Sequence, residues 1–370
     1  MIASLSFPTL SYFGPGAVDR LRPELMRLGI NRPLLVTDQN LAASSILPRV
    51  RSLCVTAVVF SGVRSNPAER DVLDGAELHV TEQCDGIVGL GGGSVLDAAK
   101  AIRLKVNHPL PLWEYDSTFD GWRKITGEMP PFIAIPTTAG TGSEVSPYAS
   151  ITIERSNLKI GVRSAHLLPT VALIDPELTL SLPPAITFGS GMNAFASNVE
   201  AFLSHNYNPV CDALAQEGVR LAAAMLPRLV EDPAGLECRT AMMMSALMGA
   251  MAGEKGLGAV HSLANPLCGE FGLHCGSMKA VLLPVVLRYY YDTESERMME
   301  LARRASVADL IDTAAELAQV SGIAPRLRDH GVPETALPML ARRAIQDDAH
   351  LYAPRACSEE DMLALYRRAW

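Results

Sequence analysis

Short apolar runs alternate with amphipathic segments over the first half of the chain, and this alternation predicts strands interleaved with helices. Residues 18–28 have the spacing of an amphipathic helix. Residues 33–37 form a short apolar run, and residues 54–60 form another that is rich in β-branched side chains; both are typical of strands. Such an alternation favours a mostly parallel sheet that is covered by helices on both faces.

The pattern changes after Leu182-Pro183-Pro184. Strand signals vanish from about Ala185 onward, and long segments with helical spacing follow as far as Trp370. The clearest of these predicted helices run from Asn193 to Leu203, from Cys211 to Val230, from Leu236 to Glu254, from Ala259 to Leu267 and from Met278 to Tyr290. We therefore predict an α/β domain over residues 1–183 and an all-helical domain over residues 184–370.

One glycine-rich stretch stands out in the first half, GLGGGSVLDAAK from Gly89 to Lys100. It follows a short apolar run and opens into good helix-forming sequence, which is typical of a strand, a turn and a helix. Three consecutive glycines, Gly91, Gly92 and Gly93, let the backbone approach an anion closely, and the first N–H groups of the helix point at it. The stretch predicts a phosphate cradle, although tight turns between packed elements also use glycine.

Two further stretches point to the same chemistry. A loop of glycines and hydroxyls, PTTAGTGSEV from Pro136 to Val145, follows another apolar run. Upstream, a strand of buried type ends in Asp38, whose carboxylate suits the hydroxyls of a ribose and repels a 2′-phosphate. Together these features predict a dinucleotide site that takes NAD in preference to NADP.

Composition and charge exclude several other classes of protein. The net charge of -8 and the lack of a basic cluster argue against binding of nucleic acid. No apolar run is long enough to span a membrane, and the N-terminal residues do not resemble a signal peptide. Seven cysteines without C-x-x-C spacing fit reduced thiols. We therefore expect a cytoplasmic globular protein whose partner is a small molecule.

The three stretches together resemble the iron-containing (group III) alcohol dehydrogenase family, whose fold is shared with dehydroquinate synthase. The similarity runs from Tyr12 almost to the C-terminal residue. It implies an N-terminal α/β dinucleotide-binding domain, an all-helical C-terminal domain and a homodimer. The cofactor-binding residues that it implies are Asp38, Asn66, Gly91, Gly92, Gly93, Ser94, Asp97, Thr137, Thr138, Thr141, Ser143 and Lys159.

The metal site of this family is the part that the chain departs from. The family holds a divalent metal ion with an aspartate and a histidine on one helix and with two later histidines. The corresponding positions here are Asn193, Ser197, His261 and Cys275. Asparagine brings no charge and serine is a poor ligand at neutral pH, so we expect no bound iron. A zinc site built from His261, His274 and Cys275 is the alternative.

The helix that carries Asn193 also resembles the maleylacetate reductase branch of the family. That branch has asparagine at the same position, and it is thought to work without a tightly held metal ion. It keeps histidines that are lost here, however, so its substrate is not carried over to this chain.

Without a metal ion, an oxyanion that forms beside the nicotinamide needs hydrogen-bond donors. The candidate donors are His261, Asn193 and Asn265, and His274 is the candidate general acid. The alternative interpretation is that a buried asparagine is merely a hydrogen-bonded core residue. We expect Cys275 to be an inert buried thiol rather than a nucleophile.

These observations predict an NAD(H)-dependent oxidoreductase that interconverts a small alcohol and its aldehyde or ketone without the family's iron. Two alternatives stay open. The first is a lyase or isomerase that oxidises its substrate transiently with bound NAD, as dehydroquinate synthase shows to be possible on this fold. The second is a catalytically silent homologue that only binds NAD.

Overall fold

The computed structural model describes Ala3, residues 9–156 and residues 158–370. Within these residues the chain forms two compact units. The sheet unit comprises residues 9–138 and 143–179, and the helical unit comprises residues 139–142 and 180–370. The loop 139–142 thus belongs to the helical unit, although the strands of the sheet unit flank it in sequence. The domain boundary predicted at residues 183 and 184 stays a prediction.

The sheet unit is built on six parallel strands, which confirms the predicted parallel sheet. They are β1 (Leu10–Phe13), β2 (Pro33–Asp38), β3 (Val58–Val63), β4 (Gly86–Gly91), β5 (Phe132–Pro136) and β8 (Val171–Ile174), in the spatial order β1-β8-β5-β4-β2-β3. The other two strands, β6 (Tyr148–Ile153) and β7 (Leu158–Arg163), pair antiparallel as a separate hairpin that the sequence pattern did not predict.

The start of β3 corrects one sequence-based prediction. Residues 54–57 were expected in this strand, but β3 begins at Val58. Cys54 instead caps the preceding helix, and its backbone N–H donates to the carbonyl oxygen of Arg51. The apolar run therefore contains a helix end and a turn before the strand, a division that hydrophobicity alone does not reveal.

Helices cover both faces of the sheet. They are α1 (Leu21–Leu28), α2 (Gln39–Ala42), α3 (Ile46–Leu53), α4 (Glu69–Thr81) and α5 (Gly93–Asn107). Successive residues of β2 point to opposite faces, so Leu34 packs with α4 and α5 in one core whereas Leu35 packs with α1 and α3 in the other. Both side chains are fully buried, as expected for a parallel sheet between two helical layers.

The helical unit has no strand over residues 180–370, as predicted. Its helices are α6 (Pro184–Leu203), α7 (Pro209–Glu231), α8 (Leu236–Ala252), α9 (Ala259–Phe271), α10 (Cys275–Arg304), α11 (Leu310–Val320), α12 (Leu337–Ala344) and α13 (Glu359–Ala369). Helix α6 begins at Pro184 rather than at Asn193, and every residue of it from Thr187 to Leu203 is buried. It is therefore the central helix of the unit, in contact with α7, α8 and α10. Among the described residues, no helix combines the length and the apolarity that crossing a membrane requires.

Close packing of α7 against α6 generates the first testable prediction. A methyl group on Gly218 would lie 2.1 Å from Oδ1 of Asn198. Asn198 is held in place, because its Nδ2 donates to the carbonyl oxygens of Ala194 and Ser245. Gly218→Ala should therefore lower the free energy of unfolding by about 1–3 kcal/mol, measured by denaturant titration.

Gly269 provides the matched control for this substitution. It lies inside α9, and a methyl group there would meet nothing within 4 Å. Gly269→Ala should raise the free energy of unfolding by about 0.5–1 kcal/mol, because alanine is the better helix former. Equal effects of the two substitutions would contradict the packing account.

Candidate active site

The glycine turn lies where β4 meets α5. Gly91 is the last residue of β4, Gly92 is the extended N-cap, and α5 begins at Gly93. A methyl group on Gly91 would lie 2.5 Å from Val95, and one on Gly92 would lie 3.0 Å from Cγ2 of Thr138. The turn thus has no room for side chains, and no side chain caps the first N–H groups of α5. These N–H groups can therefore bind a phosphate.

Asp38 ends β2, which is the neighbour of β4 in the sheet. Oδ1 of Asp38 accepts hydrogen bonds from the backbone N–H groups of Asn40, at 2.8 Å, and Leu41, at 2.9 Å, and so caps α2. Since β2, β4 and β5 are adjacent and parallel, Asp38, Gly91 and Pro136 lie along one edge of the sheet, which we call the carboxyl edge. Dinucleotides bind at such an edge in open α/β sheets.

Asp97 and Ser143, both predicted to bind the cofactor, are joined in a buried network. Oγ of Ser143 donates to Oδ1 of Asp97 at 2.6 Å, and the N–H of Ser150 donates to Oδ2 at 3.1 Å. Nζ of Lys100 donates to Oγ of Ser143 at 2.7 Å and to the carbonyl oxygen of Tyr148 at 2.8 Å. The network ties α5 to β6. Lys100 belongs to the same glycine-rich stretch as Asp97 but was not predicted to have a role in the site.

The other predicted cofactor residues have different surroundings. The N–H of Thr137 donates to the carbonyl oxygen of Gly91 at 3.0 Å, and Oγ of Ser94 donates to the carbonyl oxygen of Ser65. Both contacts lie at the carboxyl edge. Asn66 follows Ser65 in the chain, Lys159 lies on β7 opposite Thr152, and Thr141 belongs to the helical unit. The cofactor roles of all these residues stay predictions.

A second group of polar side chains lies inside the helical unit. Helix α6 presents Asn193, Ser197 and Glu200, α9 contributes His261, and α10 contributes Lys279. We call these five residues the α6 cluster. All five are buried. On α6 the spacing of four and then three residues places the side chains on one face of the helix.

Asn193 is held from two sides. Its Nδ2 donates to the carbonyl oxygen of Gly140 at 2.8 Å, and its Oδ1 accepts from Nζ of Lys279 at 2.6 Å. Both polar atoms of the amide are therefore hydrogen-bonded. One of the two N–H bonds of Nδ2 is engaged with Gly140, and the predicted role of Asn193 as an oxyanion donor stays a prediction.

Ser197, His261 and Glu200 form a line of hydrogen bonds. Glu200 accepts from Nδ1 of His261 and, at 2.7 Å, from the backbone N–H of Val260. Burial, and next the positive charge of Lys279, lower the pKa of His261 although Glu200 opposes the shift. Nδ1 of the ring faces Glu200, and Nε2 faces Oγ of Ser197 at 3.4 Å. This arrangement orients the imidazole as a carboxylate does in a catalytic triad.

The other two predicted catalytic residues, Asn265 and His274, lie outside this cluster. Nδ2 of Asn265 donates to Oδ2 of Asp347 at 2.7 Å, while Oγ of Ser262 donates to Oδ1 of the same carboxylate at 2.7 Å. Asn265 thus ties α9 to the segment around Asp347. His274 is exposed and caps α10 by accepting from the N–H of Ser277. Their catalytic roles stay predictions.

Cys275 is joined to Cys268 by a disulfide bond. The expectation of reduced thiols is therefore wrong for this pair. The two residues lie at the end of α9 and at the start of α10, and their Cα atoms are 5.5 Å apart, which a disulfide bond can span. Sequence spacing did not reveal the pair, because the turn between the helices brings the two residues together. The remaining five cysteines are free.

Comparison with known proteins decides the family. The protein-family model described as "Iron-containing alcohol dehydrogenase" matches residues 8–176. A second family model, described as "Fe-containing alcohol dehydrogenase family, C-terminal", matches residues 187–370. The chain belongs to the iron-containing alcohol dehydrogenase family. The resemblance inferred from the sequence is thereby confirmed.

Individual members of the iron-containing alcohol dehydrogenase family are similar over the whole chain. The 4-hydroxybutyrate dehydrogenase of Cupriavidus necator is 38% identical over 95% of each chain. A crystal structure of 1,3-propanediol oxidoreductase has a TM-score of 0.94 at 33% identity and covers 100% of both chains. Sulfoacetaldehyde reductase from Bifidobacterium kashiwanohense, solved in complex with NAD+, has a TM-score of 0.91 at 26% identity and covers 100% of this chain and 99% of its own. These similarities confirm the predicted fold class.

The donor atoms in this chain do not fit the iron ion that the family name implies. Both amide atoms of Asn193 are engaged, Cys275 is in a disulfide bond, and the ammonium of Lys279 would repel a cation. Over the part of the chain that the structure describes, no group of three or more His, Cys, Asp or Glu side chains could hold a metal ion. The alternative of a zinc site from His261, His274 and Cys275 is therefore not supported.

Two residues of the α6 cluster were missed as functional candidates. Lys279 lies in the apolar run Met278-Lys279-Ala280-Val281, and Glu200 lies in the apolar run that ends α6. A single charged residue inside an apolar helix is the signal that could have found both, because burial of a charge requires a compensating partner.

Glu144 generates a prediction about the pH dependence of stability. It is only 3% exposed, and burial raises its pKa to about 7 despite the nearby Lys100 ammonium. The ordinary value is 4.5, so the folded chain binds this proton more tightly than the unfolded chain does, and stability falls as the pH rises from 4.5 to about 7. Glu144→Gln removes this loss. Its free energy of unfolding relative to wild type should therefore increase by about 3 kcal/mol across the window.

Denaturant titrations at both ends of this pH window measure the effect. Glu128→Gln, at an exposed position, controls for the removal of one negative charge. A difference between Glu144→Gln and wild type that stays constant with pH would contradict the prediction.

Proposed function

We propose that the protein is an NAD(H)-dependent oxidoreductase that interconverts a small alcohol and its aldehyde or ketone without a catalytic metal ion. Three similar proteins support the reaction class, because their names refer to 4-hydroxybutyrate, 1,3-propanediol and sulfoacetaldehyde. The use of NAD is supported by the NAD+ complex of the last of these and by the carboxylate of Asp38.

The absence of a catalytic metal ion is proposed from one observation. Asn193 stands at the family's first ligand position, and its amide is hydrogen-bonded to Gly140 and to Lys279. A ligand position that is occupied by a neutral amide and faces an ammonium does not attract a divalent cation.

Different residues of the carboxyl edge bind different parts of the cofactor. The N–H groups at the start of α5 bind the pyrophosphate, since the glycine turn leaves them accessible. Asp38 accepts hydrogen bonds from the adenosine ribose with the oxygen that does not cap α2. The nicotinamide ring then supplies or accepts the hydride.

The first test combines activity with metal analysis. Protein purified without chelator should oxidise NADH in the presence of small aldehydes such as succinic semialdehyde, 3-hydroxypropanal or sulfoacetaldehyde. The rate should survive dialysis against EDTA and should not rise on addition of Fe²⁺ or Zn²⁺. Elemental analysis should find less than one iron or zinc per chain. Equimolar metal together with loss of activity on chelation would refute metal independence, and failure to reduce any carbonyl compound would refute the oxidoreductase proposal.

The second test concerns the choice of cofactor. Asp38→Asn removes the carboxylate charge but keeps an oxygen that can cap α2. Because a hydrogen bond to a charged group contributes about 1.5–3 kcal/mol, the dissociation constant for NADH should rise by about tenfold or more, and the preference over NADPH should narrow. Fluorescence titration with both cofactors measures this.

Asp38→Ala separates the two roles of this carboxylate. It should weaken NADH binding similarly and also cost about 1 kcal/mol of stability through loss of the cap on α2. A preference for NADH that is unchanged in both variants would show that Asp38 does not contact the ribose.

A further inference from the structure

Lys279 is a lysine inside the helical unit rather than on its surface. It is flanked by Met278 and Ala280 on α10, and only 6% of it is exposed. Burial of an ammonium group is costly unless fixed polar partners replace the lost water. One such partner is Asn193, whose Oδ1 accepts from Nζ at 2.6 Å. Nζ of Lys279 therefore lies inside the α6 cluster, where it is bonded to Asn193.

Nζ of Lys279 lies beside one of the positions that hold the metal ion in the iron-containing alcohol dehydrogenase family. Asn193 occupies the first of these positions, and His261 occupies the third. Lys279 contacts Asn193 directly, because its Nζ donates to Oδ1 of that residue at 2.6 Å. A basic side chain thus contacts the residue at the family's first ligand position.

The other members of the α6 cluster are not suited to stabilise a negative charge. Ser197 faces Nε2 of His261, and Nδ1 of the same imidazole is engaged with the carboxylate of Glu200. Glu200 is itself an acceptor. Lys279 is therefore the member that brings both a positive charge and N–H donors, of which an ammonium has three.

We propose that the Lys279 ammonium takes over the electrostatic role of the family's metal ion by donating a hydrogen bond to the carbonyl oxygen of the substrate and stabilising the alkoxide. The proposal rests on the proposed function. In reduction, hydride leaves C4 of the nicotinamide of NADH with its bonding electron pair and forms a C–H bond at the carbonyl carbon. The π electron pair of the carbonyl moves to oxygen. The alkoxide then takes a proton from water, which leaves hydroxide, and NADH has become NAD+.

A fixed cation can accelerate this step, because negative charge grows on the oxygen only as hydride is transferred. A donor that is already oriented in a site of low dielectric stabilises that growing charge without reorganisation. The same interaction in the reverse direction stabilises the alkoxide from which hydride departs.

The test is the rate of hydride transfer in a single turnover, followed by stopped-flow absorbance on the preformed complex with NADH. Lys279→Met should slow this step by about 10²–10³-fold, the usual effect of removing one oxyanion donor, while the dissociation constant for NADH stays unchanged. Lys279→Arg should be faster than Lys279→Met, because it keeps the charge.

Lys255→Met is the matched control. Lys255 is also buried in the helical unit, where its ammonium pairs with Asp212 and donates to the carbonyl oxygen of Phe202. Its replacement should lower the thermal stability and leave the rate of hydride transfer unchanged. If Lys279 had a purely structural role, Lys279→Met would likewise lower the thermal stability and leave the rate of hydride transfer unchanged.

Three results would each overturn the proposal. They are hydride transfer in Lys279→Met at the wild-type rate, an effect of this substitution on KM alone, and a Lys279→Arg variant as slow as Lys279→Met. If Lys279→Met does not fold, Lys279→Gln supplies an uncharged side chain that can still donate to Asn193; slow hydride transfer supports the proposal, and the wild-type rate overturns it. These outcomes presuppose carbonyl reduction by the wild-type protein. Its absence would refute the proposed function itself, so the two failures are distinguishable.

Discussion

Desolvation of α6 is the constraint on which the helical unit depends. Every residue from Thr187 to Leu203 is buried, so polar side chains on this helix that lack a partner in the protein carry a cost in free energy. Glu200 finds them at the start of α9, and Asn193 finds them in the loop at Gly140 and in Lys279 of α10. The polar groups that carry the proposed chemistry therefore also fix three segments against the central helix.

Buried polar side chains of the sheet unit also need hydrogen-bond partners, and there they find them in one another. Asp97, Lys100 and Ser143 satisfy one another and tie α5 to the hairpin of β6 and β7. This network holds α5, which begins at Gly93, and so helps to fix the glycine turn that precedes this helix. Residues that a motif assigns to the cofactor can thus act by holding the binding surface in shape rather than by contacting the ligand. Preorganisation of this kind is what positions a backbone cradle for a phosphate.

The sheet unit and its carboxyl edge were predictable from sequence because their signals are local. A glycine turn, the apolar strand before it and the carboxylate of Asp38 are each recognisable from a few neighbouring residues. The α6 cluster was not predictable in this way, since Lys279 lies 86 positions from Asn193 and only the packing of α10 on α6 joins them. The bond between Cys268 and Cys275 was missed for the same reason. The departure from the family's ligands was visible in the sequence, but the contact of Lys279 with Asn193 was not.

The basic group that Lys279 brings to the α6 cluster is encoded in the polypeptide itself. A metal ion must be acquired after synthesis, competes with other ions for its site, and is lost when iron is scarce or oxidised. The Lys279 ammonium is present as soon as the chain has folded, and no chelator or oxidant of iron can remove it. Under the proposed mechanism, the chain needs the dinucleotide but no metal ion to reduce its substrate.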